Sequence, residues 1–182
     1  MKIGIISIGL LILCGAFFPA HIAAQGRDYF TDEEIELIRD NQQIDHRINI
    51  LVRTIDRRFA VLKINVGGSK DEGKDWGALP TGTRTELLSD IRNILQKAID
   101  DIDNLSSRPD SMVLSPEERD KKPKGFSDLF PKAVRSLAKA AERYKPALKQ
   151  ALDATKDERE KGLLLDSIEM CDEIIASVSK LK

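Results

Sequence analysis

Between Thr31 and Leu62 an apolar residue recurs after four positions and then three. Leu37, Ile44, Ile48, Leu51, Ile55 and Leu62 form the series, and Asn41 and Arg58 fill its two remaining places. That spacing holds one stripe of an α-helix against a partner, so the chain must form helices that bury a seam. Thr31 followed by Glu34 has the form of a capping box, and Asp32, Glu33 and Glu34 suit the positive end of a helix dipole. A first helix is expected over about 31–65. Its two polar seam residues are either register-fixing and snorkelling groups or polar anchors facing an internal pocket.

The same spacing returns downstream. Leu87, Ile91, Ile94, Ala98, Ile102 and Leu105, widened by Leu88, Leu95 and Ile99, predict a second helix over about 85–105, with Asp90, Asp100, Asp101 and Asp103 on its outer face. Ser127 or Asp128 caps a third over about 127–153. Its inner face is rich in alanine (Ala133, Ala140, Ala141, Ala151), which lets neighbouring helices approach, and Pro146 is expected to bend it. A box at Thr155-Lys156-Asp157-Glu158 starts a fourth helix over about 156–181, with Leu164, Ile168, Cys171, Ile175 and Val178 as its seam. The expected fold is all-α, a four-helix bundle in one domain over 25–182. Gly67-Gly68 through Pro80 and the Pro109, Pro116 and Pro123 stretch leave two mobile segments, 66–84 and 106–126.

Residues 1–24 read as a secretory leader rather than as part of the fold. Lys2 precedes an uncharged run from Ile3 to Phe18, then Pro19 and the small residues Ala20, Ala23 and Ala24, with cleavage expected after Ala24. The run is shorter than the roughly 20 residues a membrane helix needs. The expected location is therefore secreted or periplasmic, with no membrane association after cleavage.

Composition narrows the function classes. The formal net charge of −1 loses one further positive charge with Lys2, which argues against a nucleic-acid partner, since such binding works by displacing counterions from phosphates. Cys14 leaves with the leader and Cys171 remains alone, so no internal disulfide forms and stability must come from packing. Cys171 lies on a seam, where a thiol behaves as a small hydrophobe.

No constellation in the chain carries chemistry. Asp100-Asp101-Ile102-Asp103-Asn104 lacks the alternate oxygen ligands and glycine of a calcium loop and reads as a solvated acidic face. No Glu-x-x-His occurs for a di-metal bundle, and His46 falls two positions past seam residue Ile44, on the outward face. Val66-Gly67-Gly68-Ser69-Lys70 lacks the first glycine of a phosphate loop. Asn104-Leu105-Ser106 has the form of a glycosylation acceptor. No catalytic residue, metal site or cofactor is expected.

The candidate binding residues are Arg53, Arg57 and Arg58, with Asn41 and Trp76. The arginines form the densest basic patch of the first helix, suited to an anionic or protein partner. Trp76, the one tryptophan, is either an exposed docking residue or a lid tucked onto the end of the bundle. The expected function is a non-enzymatic interaction or structural protein that binds a protein partner or its own copies. The alternative is a small ligand held between helices, with Asn41 and Arg58 as anchors.

Overall fold

The computed structural model describes residues 27–68, 73–116 and 124–181, and the leader and cut expected from the sequence lie outside them. Within these residues the chain is all-α. There are five α-helices and no strand: α1 (Asp32–Asp40), α2 (Ile44–Val61), α3 (Arg84–Ser107), α4 (Phe126–Ala154) and α5 (Glu158–Ser177). Short 3-10 turns stand at Lys74–Trp76, Pro109–Ser111 and Val178–Lys180.

The single first helix expected over 31–65 is in fact two. Thr31 and Glu34 form both halves of the capping box: the Glu34 amide donates to Thr31 Oγ1 at 3.3 Å and the Thr31 amide to Glu34 Oε2 at 3.0 Å. α1 then stops because amide side chains take over its last carbonyls. Asn41 Nδ2 donates to the Leu37 carbonyl at 2.8 Å and Gln42 Nε2 to that of Ile38 at 2.9 Å, which satisfies acceptors that another helical turn would have used. Gln43 is buried, donates to Asp45 Oδ1 at 2.8 Å and accepts from the Ser115 amide at 2.9 Å, so it ties the break to the later 112–116 segment.

This three-residue break resets the helical phase. In α1 the buried positions are Glu34 and Ile38 rather than Leu37. In α2 the expected seam holds, with Ile44, Ile48, Leu51, Ile55 and Arg58 all buried. The start of α1 lies beside the end of α2, so α1 runs back along it.

α2 ends at Val61, short of the expected boundary at Gly67-Gly68. Lys63 takes the left-handed conformation, φ 58°, with its amide on the Ala60 carbonyl at 3.0 Å and the Ile64 amide on that of Phe59 at 2.9 Å. This bond pair is a Schellman motif, built here on a lysine where glycine is usual.

α3 opens on a second capping box, Thr83 with Glu86, and its buried face includes the expected Leu87, Ile91, Ile94, Ala98, Ile102 and Leu105. Asp90, expected on the outer face, is buried as well. α4 continues through Pro131 and Pro146 and buries Ala133, Ala138, Ala140, Ala141 and Ala151. Tyr144 is enclosed on the same face, its hydroxyl donating to the Val52 carbonyl at 3.0 Å. α5 is capped by Asp157, which accepts from the amides of Arg159 and Glu160, and Thr155 instead closes α4.

α2 and α5 each pack against both α3 and α4, and α1 lies on α2. One apolar core joins all five helices. At roughly 1.5–3 kcal/mol for each fully buried aliphatic or aromatic side chain, this core is the main source of stability. No helix among the described residues is long and apolar enough to cross a membrane.

Candidate functional site

The structure draws three of the candidate binding residues, Arg57, Arg58 and Trp76, into one buried polar cluster, and it adds acids that the sequence pattern did not single out. Arg57 and Arg58 follow one another on α2 and are each 1% exposed. Glu34, from the first turn of α1, is fully buried between them. Arg58 Nη1 pairs with Glu34 Oε1, and Arg57 Nε lies 3.0 Å from the same oxygen. Arg58 also donates to the Thr54 carbonyl at 3.0 Å and to the Tyr29 carbonyl at 2.6 Å. Its Nε sits 3.8 Å from Asp90 Oδ2 without a hydrogen bond.

Asp90 forms the α3 side of the cluster. Arg27 grips it through three hydrogen bonds, the shortest 2.5 Å from Nη2 to Oδ2. Burial pushes the Asp90 carboxyl up to about 6; Arg27 and Arg58 draw it down, while Glu34 and Glu86 add to the rise. The carboxyl of Glu34 thus does two things at once, closing the capping box of α1 and meeting two arginines.

Trp76 closes the outer side and is 4% exposed, in agreement with the lid alternative. Its ring lies 5.4 Å from the Arg57 guanidinium carbon and 5.9 Å from that of Arg53, within cation–π range. Arg57 Nη2 donates to the Ala78 carbonyl just beyond it. Gly77 allows the turn between them: its φ is +59°, and a Cβ there would lie 2.5 Å from the Glu33 side chain. Arg53 remains exposed.

The cluster therefore fastens α1, the Trp76 segment and residues 27–30 onto α2 and α3. Its guanidinium groups are occupied by protein oxygens, not presented to a ligand. The position of Asp90 carried a readable signal, since it stands three residues after Leu87 and four before Ile94, on the apolar stripe itself. A carboxylate there needs a buried cation.

Asn41 is not brought to Arg58. It caps α1 and lines a shallow hollow of about 170 Å³ with Asp40, His46 and the Val113–Pro116 segment. The two proposed anchors share no partner. Cys171 is fully buried, and burial lifts its thiol to about 12, with Asp172 raising it further and Lys145 opposing.

A second concavity is a groove of about 180 Å³ where the C-terminal halves of α3 and α5 flank the N-terminal half of α4. Phe130, Val134 and Leu137 of α4 line it together with Ile99 and Ile102 of α3 and Ile174 of α5. Asp103 and Ser106 of α3, Glu173 and Ser177 of α5, and Lys180 and Leu181 complete its lining. No group of three His, Cys, Asp or Glu residues suited to a metal ion occurs among the described residues.

Comparison of the chain with known family profiles, curated proteins and solved structures gave no match. The site is therefore read from its own chemistry.

Proposed function

We propose that the chain is a non-enzymatic helical interaction protein, exported through the leader at 1–24 and folded as a four-helix bundle of α2, α3, α4 and α5 with α1 laid along α2. The observation that supports this reading is where the reactive groups go. Glu34, Arg57, Arg58 and Asp90 engage one another, and Cys171 is sealed beneath apolar side chains. That leaves the exterior to meet a protein partner or a second copy.

Of the arginine face, Arg53 is the member that meets solvent. Chemical crosslinking of the exported protein, wild type against Arg53→Glu, tests the face without touching the buried pair. The expected outcome is loss of the crosslinked species with helicity unchanged by circular dichroism. Crosslinking that persists undiminished removes this face from the proposal. Mass spectrometry of the exported product reads the cut directly, with Gln25 expected as its first residue.

A second reading, a small ligand held between helices, is favoured by the α3–α4–α5 groove rather than by Asn41 and Arg58. The groove sets apolar side chains beside two carboxylates, two hydroxyls and one ammonium, so it offers both apolar contact and convergent polar groups to a ligand.

A further inference from the structure

We propose that the groove between α3, α4 and α5 is a binding site for small cationic amphiphiles, molecules with an aromatic or short aliphatic body and one ammonium group. This deepens the small-ligand reading given above and rests on it.

Size and lining set the body of the ligand. An apolar cavity of roughly 150 Å³ accommodates benzene, so about 180 Å³ over Phe130, Val134, Leu137 and Ile174 takes one ring and a short tail.

Charge sets the head. Asp103 stands on the α3 wall and Glu173 on the α5 wall, both exposed, and neither has an ion-pair partner among the described residues. Most other lysines and arginines around α3 and α5 are already committed: Arg92 to Asp166, Lys97 to Asp101 and Lys145 to Asp172. Lys180 at the lip offsets one of the two carboxylates and leaves the groove net negative. Ser106 and Ser177 place the last turns of α3 and α5 against the groove, so two helix C-termini, each carrying partial negative charge, reinforce the carboxylates. The first turn of α4 opposes them with one positive end. The balance favours a cation over an anion of the same shape.

The test is an NMR titration of the folded protein with 2-phenylethylamine, phenylacetate and ethylbenzene, following the methyl groups of Val134, Leu137 and Ile174. The amine is expected to shift these resonances at concentrations where phenylacetate does not. Asp103→Asn with Glu173→Gln, both at exposed positions, is expected to weaken the amine about fivefold. Ser106→Trp, which fills the lip from an exposed position, is expected to abolish the shifts. Shifts by ethylbenzene and phenylacetate equal to those by the amine overturn the cation class while leaving a ligand groove. No shift by any of the three overturns both, as does an amine response that survives Ser106→Trp.

Discussion

Glu34 of α1 and Arg58 of α2 stand 24 positions apart in sequence and form an ion pair from which both side chains are shut off from water, 0% and 1% exposed. Such a pair is costly to desolvate, and its net contribution is set by how completely the remaining hydrogen bonds are made. Here they nearly all are. Glu34 Oε2 takes the Thr31 amide, while Arg58 reaches the Thr54 and Tyr29 carbonyls.

The first prediction concerns breaking that pair. Glu34→Gln leaves Arg58 without its anion and is expected to lower stability by about 3–5 kcal/mol, measured by urea denaturation. Glu34→Gln combined with Arg58→Met is expected to cost clearly less than the sum of the single changes, because each single change already loses the Glu34–Arg58 interaction, which the double change loses only once, while Arg57 keeps its buried charge in all three variants. Strict additivity would show that the two residues are not coupled as described.

Asp90 predicts a pH dependence of unusual sign. Its carboxyl lies near 6 in the folded chain, above the ordinary value of 3.8, because burial outweighs the pull of Arg27 and Arg58. Between those two values the folded state holds a proton that the unfolded state has released. The contribution of Asp90 is therefore fully present below about 3.8 and is lost as pH rises through about 6. The groups facing it are Arg27, Arg58, Glu34 and Glu86. Denaturation curves at pH 5 and pH 7 are expected to differ in favour of pH 5 by an amount that vanishes in Asp90→Asn. A wild-type difference that persists in Asp90→Asn assigns the effect to another group. Protonation also weakens the grip on Arg27, so resonances of residues 27–30 are expected to shift with the same midpoint.

These two residues mark the limit of what the sequence made legible. The core of α2 was readable because Ile48, Leu51 and Ile55 are aliphatic at helical spacing, and burial follows directly from that. The phase of α1 was not. Asn41 looks like a polar interruption of a continuous seam, yet its amide ends the helix and rotates everything before it. Asp90 was misread for the opposite reason: charge argues for solvent unless a buried cation is known, and Arg27 lies 63 residues away from it. The capping role of Glu34 was legible, but its pairing with Arg58, 24 residues on, was not. Arg57 and Arg58 were read as part of a basic face for a partner, but the groups they meet are inside the fold, which only the three-dimensional packing of α1 and the Trp76 segment reveals.

Cys171 is expected to be inert in the native chain. A thiol lifted to about 12 holds on the order of a thousandfold less thiolate near neutral pH than one at 9, and the thiolate is the reactive form. Labelling with a disulfide reagent at pH 8 is expected to run at least roughly a hundredfold slower in the folded protein than in urea. Equal rates would place Cys171 at the surface and open a route to a disulfide-linked dimer.

Lys63 offers a stabilising change. It occupies the left-handed position of the Schellman motif that ends α2, with φ 58°, and it is exposed. A side chain in that conformation brings Cβ against the following carbonyl, at a cost of roughly 1–2 kcal/mol that glycine avoids. Glycine gives back part of this through the greater freedom of the unfolded chain, so Lys63→Gly is expected to raise stability by about 0.5–1 kcal/mol. Lys63→Val, β-branched and stiffer, is expected to lower it. Thermal unfolding of the three proteins checks the order Gly, Lys, Val. If Lys63→Gly instead proved the least stable, α2 would have to end by some other means than the bonds from the Lys63 and Ile64 amides to Ala60 and Phe59.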